Sequence, residues 1–128
     1  MASTTIRTNT ARTSAHNDSL AVSPEDIVRR LADVLGKNLL GFIVDRDART
    51  VSRWIADENL RLTSDVERTV RNTYQVFALL SNVEGEHTIR AWFMGMNPQL
   101  EDEAPAEALA EGRFRETMAA ARAFVNGG

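Results

Sequence analysis

At 128 residues, with 43% hydrophobic but only 6% aromatic content, the chain can bury one compact core, largely aliphatic and rich in alanine. It has no cysteine, which excludes a disulfide framework and any cysteine-ligated metal, and its apolar runs fall far short of the length that spans a bilayer. The formal net charge of -3 argues against indiscriminate nucleic-acid binding while leaving room for a local basic face.

Met1 to Val22 is rich in Thr, Ser, Asn and Ala and has almost no apolar content. It is expected to be a disordered tail, and it lacks the hydrophobic centre of a secretory signal. Its Arg7 and Arg12 could trail along a DNA backbone, although a plainly solvated tail is the simpler expectation. Ser23-Pro24-Glu25 then opens a helix: Ser caps, Pro suits the first helical position, and an acid suits the positive end of the dipole. Ile27, Leu31, Val34 and Leu35 give it one buried face, and Gly36 closes it.

Asn38 to Asp57, NLLGFIVDRDARTVSRWIAD, reads as two short helices joined by a tight polar turn, a helix-turn-helix. The helices run from Lys37 to about Val44 and from Ala48 to about Glu58, with Asp45, Arg46 and Asp47 between them. Gly41 is where the first helix must let the second approach. Val51, Trp54 and Ile55 form an apolar stripe at helical spacing, with Trp54 as a core anchor. The outer face of the second helix keeps Arg49, Thr50, Ser52 and Arg53, side-chain types that reach phosphates and base edges in a major groove. Between Lys37 and Arg53, four cations (Lys37, Arg46, Arg49, Arg53) face two acids, whereas from Thr63 onward six arginines face ten acids. This asymmetry suggests that the two halves meet different partners.

Ser64-Asp65-Val66-Glu67 reads as a capping box. The helix that follows runs to about Val83 with two apolar stripes, which makes it either a spine joining two halves or part of a dimer seam. After Gly85, His87 to Met94 forms a helix with Ile89, Trp92 and Phe93 inward, ended by Gly95 and Asn97-Pro98. Residues 98 to 104 make an acidic connector, Pro105 to Glu111 a short helix, and Arg113 to about Asn126 the last helix, with Phe114, Met118, Ala121 and Val125 on one face. No stretch alternates as a strand would, so the fold is expected to be all-α: a helix-turn-helix over 23–62, a long connecting helix over 63–85 and a small helical domain over 86–128, behind the tail at 1–22.

Catalytic chemistry finds little to work with. There is no glycine-rich dinucleotide loop and no Walker loop. His16 and His87 lack metal-ligand spacing, and Glu101-Asp102-Glu103 reads as a solvated acidic run. Neither an enzyme nor a metal or cofactor site is expected.

The run from Arg90 through Trp92, Asn97-Pro98 and Leu100, then Ala104-Pro105, Leu109 to Gly112 and Ala119 to Gly127, resembles the toxin-binding domain of the Xre/MbcA/ParS antitoxins. That domain has a Trp-ending helix, an Asn-Pro turn, a Leu before the connector, a Pro-started short helix, a Gly, and a last helix ending in Gly. The family also places an Xre-like helix-turn-helix ahead of it, so the resemblance covers nearly all of residues 24 to 128. The connector departs from the pattern, with Glu101-Asp102-Glu103 where Gly is common. The resemblance implies a cytoplasmic antitoxin of a type II toxin-antitoxin system, a homodimer or a larger assembly with its toxin and without any membrane. It would repress its own operon by binding double-stranded operator DNA and neutralise a RES-domain toxin that degrades NAD. DNA contact would fall to Arg46, Arg49, Thr50, Ser52 and Arg53, and toxin contact to Arg115, Arg122, Phe124, Val125 and Asn126. The alternative is a stand-alone helix-turn-helix regulator, such as a phage or prophage repressor, that keeps the carboxy-terminal part only to dimerise.

Overall fold

The computed structural model describes residues 22–127, and among them the chain is all-α, seven helices and one 3-10 turn with no strand. The tail expected over residues 1–22 lies outside the described residues except for Val22. That residue is half-buried against the core, and its carbonyl accepts a hydrogen bond from Arg71 Nη1 at 3.1 Å.

Helix α1 (Pro24–Leu35) starts as its sequence dictates, with the Ser23 hydroxyl accepting from Asp26 N at 3.2 Å and Pro24 in the first turn. It ends at Gly36, whose φ of 89° is a conformation that side chains with a Cβ resist. Helix α2 (Lys37–Val44) follows at once. Helix α3 (Ala48–Ala56) is shorter than its apolar pattern suggested, because Asp57 turns the chain and accepts from Asn59 N at 2.9 Å. Helix α4 (Ser64–Leu80) begins one residue earlier than a cap at Ser64 would give. Thr63 is the cap, accepting from Val66 N at 3.4 Å, and Glu67 is left to pair with Arg71 at 2.9 Å.

Helix α4 is a spine. It packs against α1, α2, α6 (Pro105–Ala110) and α7 (Phe114–Val125). Val70 and Val76 are fully buried, and none of the exposed large apolar side chains among the described residues lies on α4. Val76 and Leu79 of its second stripe are buried within the chain, while Val83, just past the helix, stays half exposed. The most extensive of these contacts is α4 on α7, and each of the two helices buries a threonine, Thr73 and Thr117, whose hydroxyls donate to Thr69 O and Arg113 O, each at 2.8 Å. A threonine bonded to its own preceding turn fills a close helix crossing without an unpaired polar atom.

One apolar core runs from Ile27 on α1 through Leu40, Val51, Val70 and Phe77 to Ile89 and Phe93 on α5 (Glu86–Met94) and on to Met118 and Ala121. A satellite cluster of Leu100, Ala108 and Ala120 lies beside it under Trp92. Adjacent arginines on α1 hold two different neighbours: Arg29 Nε donates to Ile55 O on α3 at 3.1 Å, and Arg30 Nη1 meets Glu86 Oε2 on α5 at 2.8 Å. Arg30 also lies over the Phe77 ring, 5.1 Å from its centroid.

Candidate nucleic-acid interface

The link between α2 and α3 is the turn Asp45-Arg46-Asp47. Asp45 adopts the left-handed conformation, with φ 60°. Arg46 N donates to Gly41 O at 2.8 Å, so the turn folds back onto the middle of α2. A Cβ on Gly41 would stand 2.5 Å from Arg46 O. Gly41 thus makes room for the turn's own backbone rather than for α3 as a whole.

Arg46 is exposed, but its guanidinium curls onto the carbonyls of Asp45 and Val44, at 2.9 and 3.3 Å. Those are carbonyls that a helix C-terminus leaves without intrahelical partners. Arg46 therefore serves to cap α2, a role its sequence position did not announce.

Helix α3 rests on α1 and α2, with Val51 fully buried and Trp54 and Ile55 half-buried against the core. Trp54 is thus a flank of the core and not its anchor. The nine-residue helix rests mainly on two neighbours, α1 and α2, which leave a ring that large partly uncovered.

Arg49 and Arg53 are exposed, and Thr50 and Ser52 are half-buried. Asp47, expected only as a turn residue, is the N-cap, its Oδ1 accepting from Thr50 N at 2.8 Å. Thr50 Oγ1 in turn accepts from Arg53 Nη2 at 3.2 Å. The backbone hydrogen bond from Thr50, then its hydroxyl, then the nearby Arg49 and Arg53 hold the Asp47 carboxyl below its ordinary value. The Asp-x-x-Thr spacing was the available sequence signal for this cap. The Arg29 hydrogen bond to Ile55 O, which no sequence pattern revealed, secures the other end of α3.

The second predicted set lies on and after α7. Arg115 is exposed and Arg122 half-buried, and neither has an acid within ion-pair distance among the described residues. Asn126 is exposed. Val125 packs against the core, and Phe124 keeps 36% of its surface exposed while its ring lies 6.4 Å from that of Trp92. The end of α7 is thus packed on the fold through Val125, with the Phe124 ring left partly exposed beside Trp92.

Arg113 behaves differently from its neighbours. It meets Glu103 at 2.7 Å, Glu116 at 3.4 Å, Glu111 at 3.7 Å and Glu101 at 3.8 Å. The connector read as a solvated acidic run is stapled to the start of α7 by this one cation. Upstream of it, Asn97 Oδ1 accepts from Gln99 N at 2.9 Å, and the 3-10 turn Pro98–Leu100 buries Leu100.

Compared with family models, curated proteins and solved structures, the chain matches none. What it can do is therefore read from its own surfaces. The described residues hold no group of histidines and acids arranged for a metal ion, and no helix among them is long and apolar enough to cross a membrane. The basic, hydrogen-bonding face of α3 and the arginine stripe of α7 are two surfaces that carry cations without an acid in ion-pair distance among the described residues.

Proposed function

We propose that the chain is a DNA-binding antitoxin, which represses its own operon through α3 and neutralises a RES-domain, NAD-degrading toxin through its carboxy-terminal helices. The observation that carries the DNA half is the outer face of α3. Arg49, Thr50 and Arg53 point away from a helix that is braced behind by α1 and α2 and fixed at both ends by side-chain hydrogen bonds. A short braced helix with a cationic outer face suits insertion into a major groove. The acid-rich remainder of the chain would confine binding to that face.

The toxin half rests on the resemblance of residues 86–128 to the antitoxin domain. The Asn97-Pro98 corner and the Arg115–Arg122 stripe give it a surface, on which the two guanidinium groups would pair with carboxylates of the partner. Gel-shift titration against the chain's own promoter region tests the first half. Co-expression with the toxin encoded beside it, read as cellular NAD, tests the second. A stand-alone regulator would pass the first test and leave NAD unprotected in the second. The packing of Phe124 on Trp92 supports neutralisation through the folded face of the carboxy-terminal helices over a free carboxy-terminal plug.

A further inference from the structure

On the reading that α3 enters a major groove, we infer that each operator half-site carries two guanines about two base pairs apart, one read by Arg49 and one by Arg53, with Thr50 as the residue that positions Arg53. Arg49 and Arg53 are four residues apart, and so they lie on one side of the helix and about 6 Å apart along its axis. Stacked bases rise about 3.4 Å each, so two side chains of equal length and type reach edges separated by about two steps. Both carry the planar fork that binds the O6 and N7 of guanine, the commonest specific contact an arginine makes. Neither has a carboxylate within ion-pair distance among the described residues, and both are exposed.

The two arginines differ in how they are held. Arg53 Nη2 is tied to Thr50 Oγ1 at 3.2 Å, and the Thr50 backbone is itself tied to Asp47 at 2.8 Å. Asp47, Thr50 and Arg53 form one chain of hydrogen bonds down the outer face, while Arg49 is joined to it by charge alone. The ionised Asp47 also occupies the N-terminus of α3, where a DNA phosphate would otherwise settle. Cationic contact on this helix therefore falls to the two guanidinium groups. A side chain oriented before binding loses less freedom on binding, so Arg53 should discriminate more sharply than Arg49.

The test is selection from a randomised duplex library by the full chain and by Arg49→Ala, Arg53→Ala, Thr50→Val and Thr50→Ser, each first checked for unchanged helicity. The expected result is enrichment of two guanines about two base pairs apart. Arg49→Ala should erase one and Arg53→Ala the other, each with roughly a tenfold to hundredfold fall in affinity for the selected site. Thr50→Val should blur only the guanine that Arg53 reads, and Thr50→Ser should restore it. Selected sites without the guanine pair, or variants that lower affinity equally for all sequences, would overturn this inference while leaving DNA binding intact. A Thr50→Val protein with unchanged preference would overturn the positioning role. Failure of the full chain to bind any duplex would overturn the DNA-binding reading itself.

Discussion

The rings of Trp92 and Phe124 lie 6.4 Å apart with their planes at 56°, joining the end of α5 to the last turn of α7. Trp92 also meets Phe93 edge-on at 5.3 Å, so the Phe124 contact extends an aromatic chain that reaches from the core to the surface.

Loss of that contact is the first prediction. Phe124→Ala should lower stability by about 0.5–1.5 kcal/mol beyond the loss of the area that the ring buries. Thermal unfolding should shift by several degrees, and Trp92 fluorescence should move toward that of a more exposed indole. An unchanged melting temperature would mean that the pair contributes nothing. Because Val125 packs against the core, deletion of residues 123–128 confuses lost packing with lost partner contact. Arg115→Glu with Arg122→Glu is the cleaner probe of toxin binding. The double variant should fail to protect cellular NAD while keeping operator affinity, and full protection would remove the α7 stripe from the interface.

The turn between α2 and α3 gives a second prediction. Gly41→Ala places a Cβ 2.5 Å from the Arg46 carbonyl oxygen, an atom fixed by the turn. Overpacking of this kind typically costs ~1–3 kcal/mol. The denaturation midpoint should fall, and operator binding should weaken with it because α3 is displaced. A variant as stable as the parent would show that the turn can move away.

Asp47 links stability to pH. Its folded-state pKa is depressed, chiefly by the backbone hydrogen bond from Thr50, so its contribution is present above the unfolded value of about 4 and disappears as pH falls through the folded value. Asp47→Asn keeps a capping oxygen without the charge. The stability gap between parent and variant should therefore be largest near neutrality and should close in acid. Urea titrations at a series of pH values measure it, and a gap independent of pH would show that the charge is immaterial.

A fourth prediction concerns the spine. Val76 is fully buried in α4. Val76→Asp should unfold the chain outright, since an unpaired buried carboxylate costs several kcal/mol. It should not yield a folded protein of reduced mass. Light scattering beside circular dichroism distinguishes the two, and a folded monomer made from a parent dimer would show α4 to be a seam.

The helices were legible in the sequence because their caps and breakers are local. Ser23-Pro24, Gly36, Gly85, Asn97-Pro98 and Pro105 each act within one turn of the residue that carries the signal. What was not legible depends on long-range neighbours. The burial of Trp54 depends on how many helices surround α3, the role of Arg113 on four acids drawn together by folding, and the role of Arg29 on a carbonyl 26 residues away. Arg46 shows the same limit at short range: its charge suggested an outside partner, and the turn's own carbonyls claim it.

The unbroken core has a practical consequence for dissecting the molecule. A scissile point at residue 85, between the helices that carry the basic face and those that carry the arginine stripe, would strip Ile89, Phe93, Leu109 and Met118 of their counterparts on α1 and α4. Neither fragment would be a faithful miniature of the whole. Separation of the two proposed activities has to come from single side chains on an intact chain, and any exchange of α3 for another specificity must end the helix so that the backbone carbonyl at position 55 stays within reach of Arg29.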